Sequence, residues 1–318
     1  MCISTGNRSR IAALQLLMLV MLLTGPANKV EAQEQVFFGQ HLHNRMLYNP
    51  AFAGDRAIPG FTFHTRQQWM SWEGSPSSNL LMAHTRLKDK NAGLGVSLAF
   101  DRMGPVHYSG FTGMYSYTLQ ITDKSKLMMG LQGEIRFLQI RLSQLQLVDQ
   151  GDLLFGEDPG LKLQPNVGLG LNYVSGIYSV NLSVPRILNA ELSPFEGESS
   201  RWSRRGRVIY MGATSSHAIS EEWQVEPSLL VALSGGRSPF IELAGLLRYQ
   251  ERIGMVVLYR FNQTVGGMIR YKHQEMLVFG YSYDVSLGKL RNNVGTHELF
   301  LGYNFPFNRT KTLSPRRF

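Results

Sequence analysis

The stretch from Arg252 to Asp284 constrains the fold most, because it holds three segments of about ten residues joined by very short polar turns. In the middle segment Val265, Ile269 and Tyr271 occupy one set of alternate positions, and Thr264 and Lys272 occupy the other. A period of two is typical of a strand with one apolar and one wetter face. About ten residues is also the length that a tilted strand needs to cross a bilayer. The stretch therefore predicts an antiparallel meander.

The overall composition excludes a helical membrane bundle but leaves a membrane barrel open. Hydrophobic residues make up 43% of the chain and the mean hydropathy is −0.13. Polar residues that face the lumen of a barrel dilute the apolar signal of every strand, so a barrel can have this average. The 32 glycines, 13 tyrosines and 17 phenylalanines suit strongly curved strands and aromatic girdles.

The N-terminus has the pattern of a secretory signal peptide. Arg8 and Arg10 precede an apolar core from Ile11 to Leu23, and Val30-Glu31-Ala32 offers small residues before Gln33. We expect residues 1–32 to be removed by cleavage after Ala32; cleavage after Ala27 and a retained signal anchor are the alternatives. The only cysteine is Cys2, so the mature chain would have no disulfide and no thiolate nucleophile. Export without disulfides suits a bacterial envelope.

Strand-like segments continue along the chain, and they predict an all-β, transmembrane antiparallel barrel of about 14 strands over residues 61–307. Residues 33–60 would form a periplasmic or lumenal lead-in, and residues 308–318 a short basic periplasmic tail. The candidate strands are Phe61–Trp69, Asn79–Leu87, Gly93–Asp101, Gly110–Gln120, Leu127–Leu138, Asn166–Val174, Ile177–Val184, Val208–His217, Trp223–Leu233, Pro239–Arg248, Ile253–Phe261, Thr264–Lys272, Met276–Ser286 and Thr296–Phe305.

The lengths of the connections alternate, which favours a membrane barrel over a soluble sandwich. Every second connection is short and polar, whereas the intervening ones are mostly longer, including 70–78, 102–109, 139–165 and 185–207. Outer-membrane barrels have short periplasmic turns and long outer loops. The asymmetry predicts a protein of the bacterial outer membrane with both termini in the periplasm.

The residues give little support to catalysis, a metal site or nucleic-acid binding. The formal charge is +9 and the pI about 9.7, but no basic helix or nucleic-acid motif accompanies the scattered Lys and Arg. Outer-membrane lipids or lipopolysaccharide are more natural partners, and simple solubility of the loops is the alternative. The histidines show no metal-ligand spacing. Ser215 and His217 share one strand face as a lipase pair would, but no orienting acid is evident. We expect no enzymatic activity and no cofactor.

Two loops carry charge that could bind partners. The acidic run 149–159 is superficially calcium-like but lacks the order of an EF-hand loop. The other run lies in a long outer loop, where its arginines could bind lipopolysaccharide phosphate or an acidic cargo face; a solvated loop end is the alternative. Its candidate interaction residues are Arg201, Trp202, Arg204, Arg205 and Arg207.

Charged residues within the strands are expected to face the lumen or lie near a rim, because charge on the lipid face costs a few kcal/mol. These residues are Glu134, Arg136, Glu242, Arg260 and Arg270.

Short motifs spread along the chain resemble one known family. They are Asn49–Gly54, Arg66–Trp69, Gly74–Pro76, Ala83–Thr85, Gly93–Ser97, Gly168–Tyr173, Leu182–Pro185, Tyr281–Asp284 and Thr296–Leu299. In this order the mature chain resembles the PorP/SprF family of outer-membrane proteins associated with type IX secretion. Phe52 stands where the family often has tyrosine, and Arg86 where proline is common.

The resemblance implies a fatty-acid-transporter-like barrel that is not an enzyme. It implies a role in export or surface anchoring of a cargo, such as a gliding-type adhesin, that carries a type IX C-terminal signal, with components of the secretion machinery as partners. An outer-membrane channel for a small hydrophobic or polar solute is the alternative. The residues expected to dock a partner or seal the lumen are Asn49, Pro50, Ala51, Phe52, Ala53, Gly54, Arg66 and Trp69.

Overall fold

The computed structural model describes residues 42, 44–56, 58–87, 90–144, 158–188, 190–191, 201–202, 207–235, 238–261, 263–274, 276–287 and 294–305. Several sequence-based predictions lie outside these residues. They are the signal peptide and its cleavage site, Arg204 and Arg205, residues 149–157 of the acidic run, and the basic tail.

The described part of the chain is almost entirely β-structure, and strands β1–β17 follow in chain order. The long strands are β1 (Gly60–Gln67), β2 (Ser77–Arg86), β3 (Ala92–Met103), β4 (Val106–Thr122), β5 (Ser125–Ile140), β6 (Lys162–Ser175), β7 (Tyr178–Val184), β10 (Val208–Ser215), β12 (Trp223–Ser234), β13 (Phe240–Tyr249), β14 (Ile253–Arg260), β15 (Thr264–His273), β16 (Leu277–Ser286) and β17 (Thr296–Asn304). Three pieces are only two residues long: β8 (Ala190–Glu191), β9 (Arg201–Trp202) and β11 (His217–Ala218).

The fourteen long strands close into one antiparallel barrel. Each pairs with its neighbours in the chain, β1 pairs with β17, and β10 pairs with β12. Every strand predicted from the sequence corresponds to one of these long strands, so the predicted fold class is confirmed. Closure leaves no sheet edge along most of the wall, which a backbone crossing hydrocarbon requires.

Side chains alternate between a lipid-facing outer surface and the inner surface of the barrel. On β3, Leu94, Val96 and Leu98 are exposed on the outside, whereas Gly95 and Ser97 are buried inside. The aromatic side chains Tyr281 and Tyr283 of β16 lie on the outside as well. This is the apolar-out alternation expected of a transmembrane strand.

The connections lie at two distinct ends of the barrel. The end that carries residues 59 and 305 and the β2–β3, β4–β5, β6–β7, β13–β14 and β15–β16 turns is called the termini end here; the opposite end is called the loop end. The prediction of a long loop at 102–109 was wrong. Strand β3 runs to Met103 and β4 starts at Val106, so only a tight turn at Gly104 and Pro105 joins them. The two strands stay paired as far as Met103 and Val106, so the predicted loop is a β-hairpin with a tight turn.

Helices are few and short in the described ranges. They are α1 (Arg45–Tyr48) and two 3-10 turns, at Pro50–Phe52 and Leu142–Gln144. None is long and apolar enough to span a membrane. Helix α1 and the first 3-10 turn precede β1, and they fill part of the lumen.

Candidate functional site

The lead-in segment forms a compact plug inside the barrel, defined here as residues 44–55. Helix α1 ends at Tyr48, and Asn49 then starts the 3-10 turn at Pro50–Phe52. The Asn49 Oδ1 accepts a hydrogen bond of 2.9 Å from the Ala51 backbone N–H, which caps the turn. Proline at the first position of the turn supplies a preset φ and removes a donor that would have no partner there. The sequence Asn-Pro-Ala-Phe therefore specifies this bend locally.

Hydrogen bonds attach the plug to the inner wall. The Asn49 Nδ2 donates to the carbonyl oxygens of Leu171 and Leu182, at 3.0 and 3.5 Å. The Ser183 hydroxyl donates to the Tyr48 carbonyl at 2.6 Å. The Ser116 hydroxyl donates to the carbonyl of Ala53. These hydrogen bonds thus attach the plug to three strands, β4, β6 and β7.

Inward-facing glycines make room for the plug backbone. A Cβ on Gly130 would collide with the backbone of Pro50 and Ala51. A Cβ on Gly93 would collide with the backbone of Ala53 and Gly54, and one on Gly170 with the Asn49 side chain. Close approach of another backbone explains the lack of a side chain at Gly93 and Gly130, and the Asn49 side chain explains it at Gly170.

Apolar side chains surround the plug, so the lumen around it is less polar than the sequence predicts. Met46 and Phe52 pack against Leu80, Met82 and Met114. A second cluster combines Tyr48 with Val208, Tyr210, Leu230, Ala232 and Phe240. A third places Leu42 against Leu246, Leu258 and their neighbours. Burial of a large apolar side chain stabilises a fold by about 1.5–3 kcal/mol, so the plug is integral to barrel stability.

Ionic and polar groups also fix α1 on the β12 and β13 side. The Arg45 guanidinium pairs with Glu226, which also accepts a 2.8 Å hydrogen bond from Arg248. Burial raises the pKa of the Tyr48 hydroxyl well above its usual value, so this group stays neutral. The plug is held by one carboxylate shared between two arginines and by the hydrogen bonds to β6 and β7.

A second, fully buried charge network lies on the inner wall near the loop end. Arg66 pairs with Glu298 and with Asp284, and Arg260 pairs with Asp284 at 3.2 Å and with Glu242 at 2.5 Å. All five side chains are at most 4% exposed. They come from β1, β13, β14, β16 and β17, so the network ties both ends of the chain together.

The inward orientation predicted for the strand charges is confirmed. Glu134, Glu242 and Arg260 are buried, and Arg136 and Arg270 lie on the inward positions of their strands. The Arg136 guanidinium stacks over the Tyr108 ring at 3.9 Å. The roles of Asp284, Glu298 and Glu226 were not predicted from the sequence. Their positions on the wetter face of each strand were a signal that could have identified them.

The structure separates the residues that were expected to dock a partner or seal the lumen. Residues 49–54 form the centre of the plug, with Ala51 and Ala53 fully buried. Arg66 belongs to the buried charge network. Trp69 lies at the loop end, where its Nε1–H donates to the Ser286 hydroxyl at 3.2 Å. Its φ of +50° is unusual for a bulky side chain, and strain of this kind concentrates at functional positions.

The outer-loop arginines are only partly described. Arg201 and Trp202 form the short strand β9, which pairs with β8. Arg207 immediately precedes β10 and is half-buried. In the acidic run, Asp158 is a described residue, and its carboxylate accepts a 2.8 Å hydrogen bond from the Ser143 backbone N–H.

The candidate histidines make ordinary contacts. Asn44 Nδ2 lies 2.5 Å from His64 Nε2, and His84 Nδ1 lies 3.1 Å from the carbonyl oxygen of Gly60. His217 Nε2 lies 3.1 Å from Ser215 Oγ on an exposed edge. Within the described ranges, no three His, Cys, Asp or Glu side chains form a group that could hold a metal ion.

Replacing Asn49 by alanine should destabilise the barrel by about 1–3 kcal/mol, because one cap and two part-buried hydrogen bonds to carbonyl oxygens are lost. The measurement is the denaturant midpoint of the barrel refolded in lipid vesicles. Asn79→Ala is the matched control, since Asn79 is exposed on β2, and it should change stability by less than about 0.5 kcal/mol. Equal midpoints for the two variants would show that the Asn49 contacts are not stabilising.

A closed barrel of fourteen strands with an apolar exterior and a plugged lumen defines the class of protein: an outer-membrane β-barrel. Within that class, residues 30–303 match the family of type IX secretion system membrane proteins PorP/SprF. The chain belongs to this family, as its motifs indicated. No curated protein matches the sequence.

Several solved structures are similar to this chain at low sequence identity. The TodX ΔS2S3 mutant, a monoaromatic hydrocarbon channel, is similar with a TM-score of 0.53 and 10% identity, over 82% of this chain and 94% of that one. The CymD monoaromatic hydrocarbon channel gives a TM-score of 0.48 and 12% identity, over 82% and 92%. The KdgM porin gives 0.38 and 10%, over 78% and 99%. The first of these similarities supports the barrel fold alone.

Proposed function

We propose that this barrel is a closed, non-enzymatic scaffold of the type IX secretion system that supports export or surface anchoring of a partner cargo protein. The observation that carries the proposal is the plug inside the lumen, together with the buried charge network on the inner wall. The plug contacts the wall from Ser116, Leu171 and Ser183 to the loop-end residues Val208 and Phe240. A solute channel needs an open lumen, and the plug and the network occupy part of it, so we place the partners of the barrel at its two ends.

We further propose that both termini face the periplasm and that the loop end faces the outside. The alternation of short turns and longer loops supports this orientation. In this arrangement the termini end would meet periplasmic components of the machinery, and the loop end would meet the cargo. The plug residues 49–54 would seal the lumen rather than contact cargo, since the barrel wall surrounds them.

The loop between β1 and β2 is the surface that we propose for cargo binding. Met70 and Trp72 are exposed there, 53% and 41% respectively. The strained Trp69 packs against Trp72 with ring centroids 5.7 Å apart. Exposed aromatic and methionine side chains on a fixed loop are typical anchors of protein interfaces. The arginine-bearing loop 201–207 would add contacts to acidic groups of the cargo.

The experiment is a cross-linked pull-down from outer membranes, combined with deletion of the gene. Deletion should abolish surface display of the co-purifying cargo and leave solute uptake intact. Normal display with impaired uptake would instead support the alternative, a solute channel. Trp72→Ala should lower cargo recovery on the order of tenfold, as expected for a central aromatic anchor. Trp223→Ala, which changes a tryptophan packed on Tyr249 at the termini end, is the matched control and should leave recovery unchanged.

A further inference from the structure

The barrel wall has a notch at the loop end, between β6 and β10. Strand β7 pairs with β6 only from Leu169 onwards, because β7 ends at Val184 whereas β6 begins at Lys162. On the other side, β10 pairs with β7 only from Tyr210 onwards. The loop-end part of β6 therefore has no neighbouring strand on this side in the described part of the chain.

The chain after Val184 closes the notch from the inside. Arg186 enters the lumen and forms a two-pronged ion pair with Glu134, at 2.6 and 2.9 Å. The Gln132 Nε2 donates to the Pro185 carbonyl at 2.9 Å, and a Cβ on Gly168 would collide with the same carbonyl. Leu188 and Asn166 exchange hydrogen bonds of 2.9 and 3.0 Å. The notch is thus separated from the lumen and lies beside lipid-facing side chains.

The notch contains a cavity of about 540 Å³. Its apolar lining includes Leu169, Val184, Ile187, Ile209 and Leu233, and Arg207 is the charged residue that lines it. A cavity of this size lies in the range of small-molecule sites. Leu169, Ile209 and Leu233 are exposed on the outer surface, so the cavity is continuous with the lipid-facing wall.

Arg207 supplies the chemical selectivity of the notch. Its Nε is buried and has no hydrogen-bond partner in the part of the chain that the structure describes. A buried guanidinium N–H without an acceptor is costly, so an anionic group that accepts from it would be favourable. Planar guanidinium groups bind phosphate with high geometric fit.

The open edge of β6 disfavours a protein strand as the occupant. The Val167 carbonyl accepts from the Ile187 N–H, so Val167 directs its backbone towards the notch. Pro165, two residues away, directs its backbone to the same side and has no N–H to donate. Proline on a free edge is a common device against pairing with another strand. A ligand with an apolar chain and a phosphate group matches the apolar lining and Arg207 better than a peptide strand does.

We propose that the notch binds lipid A, the phosphorylated and acylated anchor of lipopolysaccharide. One acyl chain lies against Leu169, Ile209 and Leu233, and a phosphate oxygen accepts hydrogen bonds from Arg207. The choice of lipid A rests on the proposed orientation, in which the loop end faces the outer leaflet. The site is independent of the plug and of any cargo.

The test is titration of the purified full-length barrel, in detergent, with lipid A, read by native mass spectrometry. Arg207→Gln should weaken binding about tenfold or more, since hydrogen bonds to charged groups contribute about 1.5–3 kcal/mol. Leu169→Trp should also weaken binding, by filling the notch. Arg102→Gln removes a charge from the exposed loop end of β3 and should leave binding unchanged. Heat-modified mobility on gels checks that each variant is a folded barrel.

Three outcomes would overturn the proposal. One is equal loss of affinity in the Arg207 and Arg102 variants, which indicates charge attraction without a site. Another is equal affinity for phosphatidylglycerol, which makes the lipid source wrong. The third is a protein cross-linked at Ile209→Cys in intact cells, which makes the occupant a peptide. Because the titration contains no cargo, its failure leaves the scaffold proposal standing, and loss of cargo display in cells leaves the lipid site standing.

Discussion

Replacing Arg260 by methionine will lower the free energy of unfolding by about 3–5 kcal/mol, as is typical when one partner of a buried ion pair is removed. Arg260 pairs with Glu242 and with Asp284, and all three side chains are at most 4% exposed. Methionine fills a similar volume but leaves the two carboxylates near each other in the lumen. The measurement is chemical unfolding of the barrel in lipid vesicles, followed by tryptophan fluorescence.

Two further variants isolate the cause of this loss. Lys126→Met breaks the ion pair with Asp55. The Lys126 and Asp55 side chains are 28% and 36% exposed, so the substitution should lower the free energy of unfolding by less than about 1 kcal/mol. Arg260→Met combined with Glu242→Leu should be less destabilised than Arg260→Met alone, because one carboxylate without a partner is removed. If Arg260→Met and Lys126→Met lower the free energy of unfolding by the same amount, the lumen network does not stabilise the barrel.

Replacing Gly130 by valine will expel the plug from the lumen. The new Cβ would occupy the space of the Pro50 and Ala51 backbone, which cannot move without breaking the Asn49 contacts. Overpacking in a tight interior costs at least about 1–3 kcal/mol, and here the neighbour is backbone. The readout is thiol labelling of Ala51→Cys, a fully buried position, in a chain that also carries Cys2→Ser. Labelling should become at least about tenfold faster in the valine variant.

The matched control lies on the same strand and faces the lipid. Gly133 is on the opposite face of β5, and a Cβ there meets nothing within 4 Å. Gly133→Val should leave the labelling rate of Ala51→Cys unchanged. Equal acceleration by both substitutions would indicate a general loosening of the barrel and would remove the evidence for a fitted plug.

The wall of this barrel was predictable because its signal is local. The sequence of each strand alternates between apolar and polar residues over about ten positions, and this alternation does not depend on which strand is its neighbour. The prediction failed where strand length exceeds the membrane span, as in the hairpin at Gly104 and Pro105. Nothing in the alternation shows where a strand pair stops once it leaves the lipid.

The interior was much less predictable, because it depends on contacts between distant parts of the chain. Asn49 showed turn chemistry, but its partners Leu171 and Leu182 lie far along the sequence. The glycines at 93, 130 and 170 have the sequence pattern of ordinary strand glycines, and only the fold brings the plug backbone or the Asn49 side chain against them. Asp284 and Glu298 stood on the inward positions, yet only barrel closure brings both to Arg66.

The measurement that tests the closed-scaffold account most directly is single-channel recording of the purified, full-length barrel in planar bilayers. The account predicts no steady conductance for the native chain, because the plug and the charge network together obstruct the lumen. It predicts openings once Gly130→Val displaces the plug and Arg260→Met disrupts the network. Stable, reproducible channels formed by the native chain would contradict it.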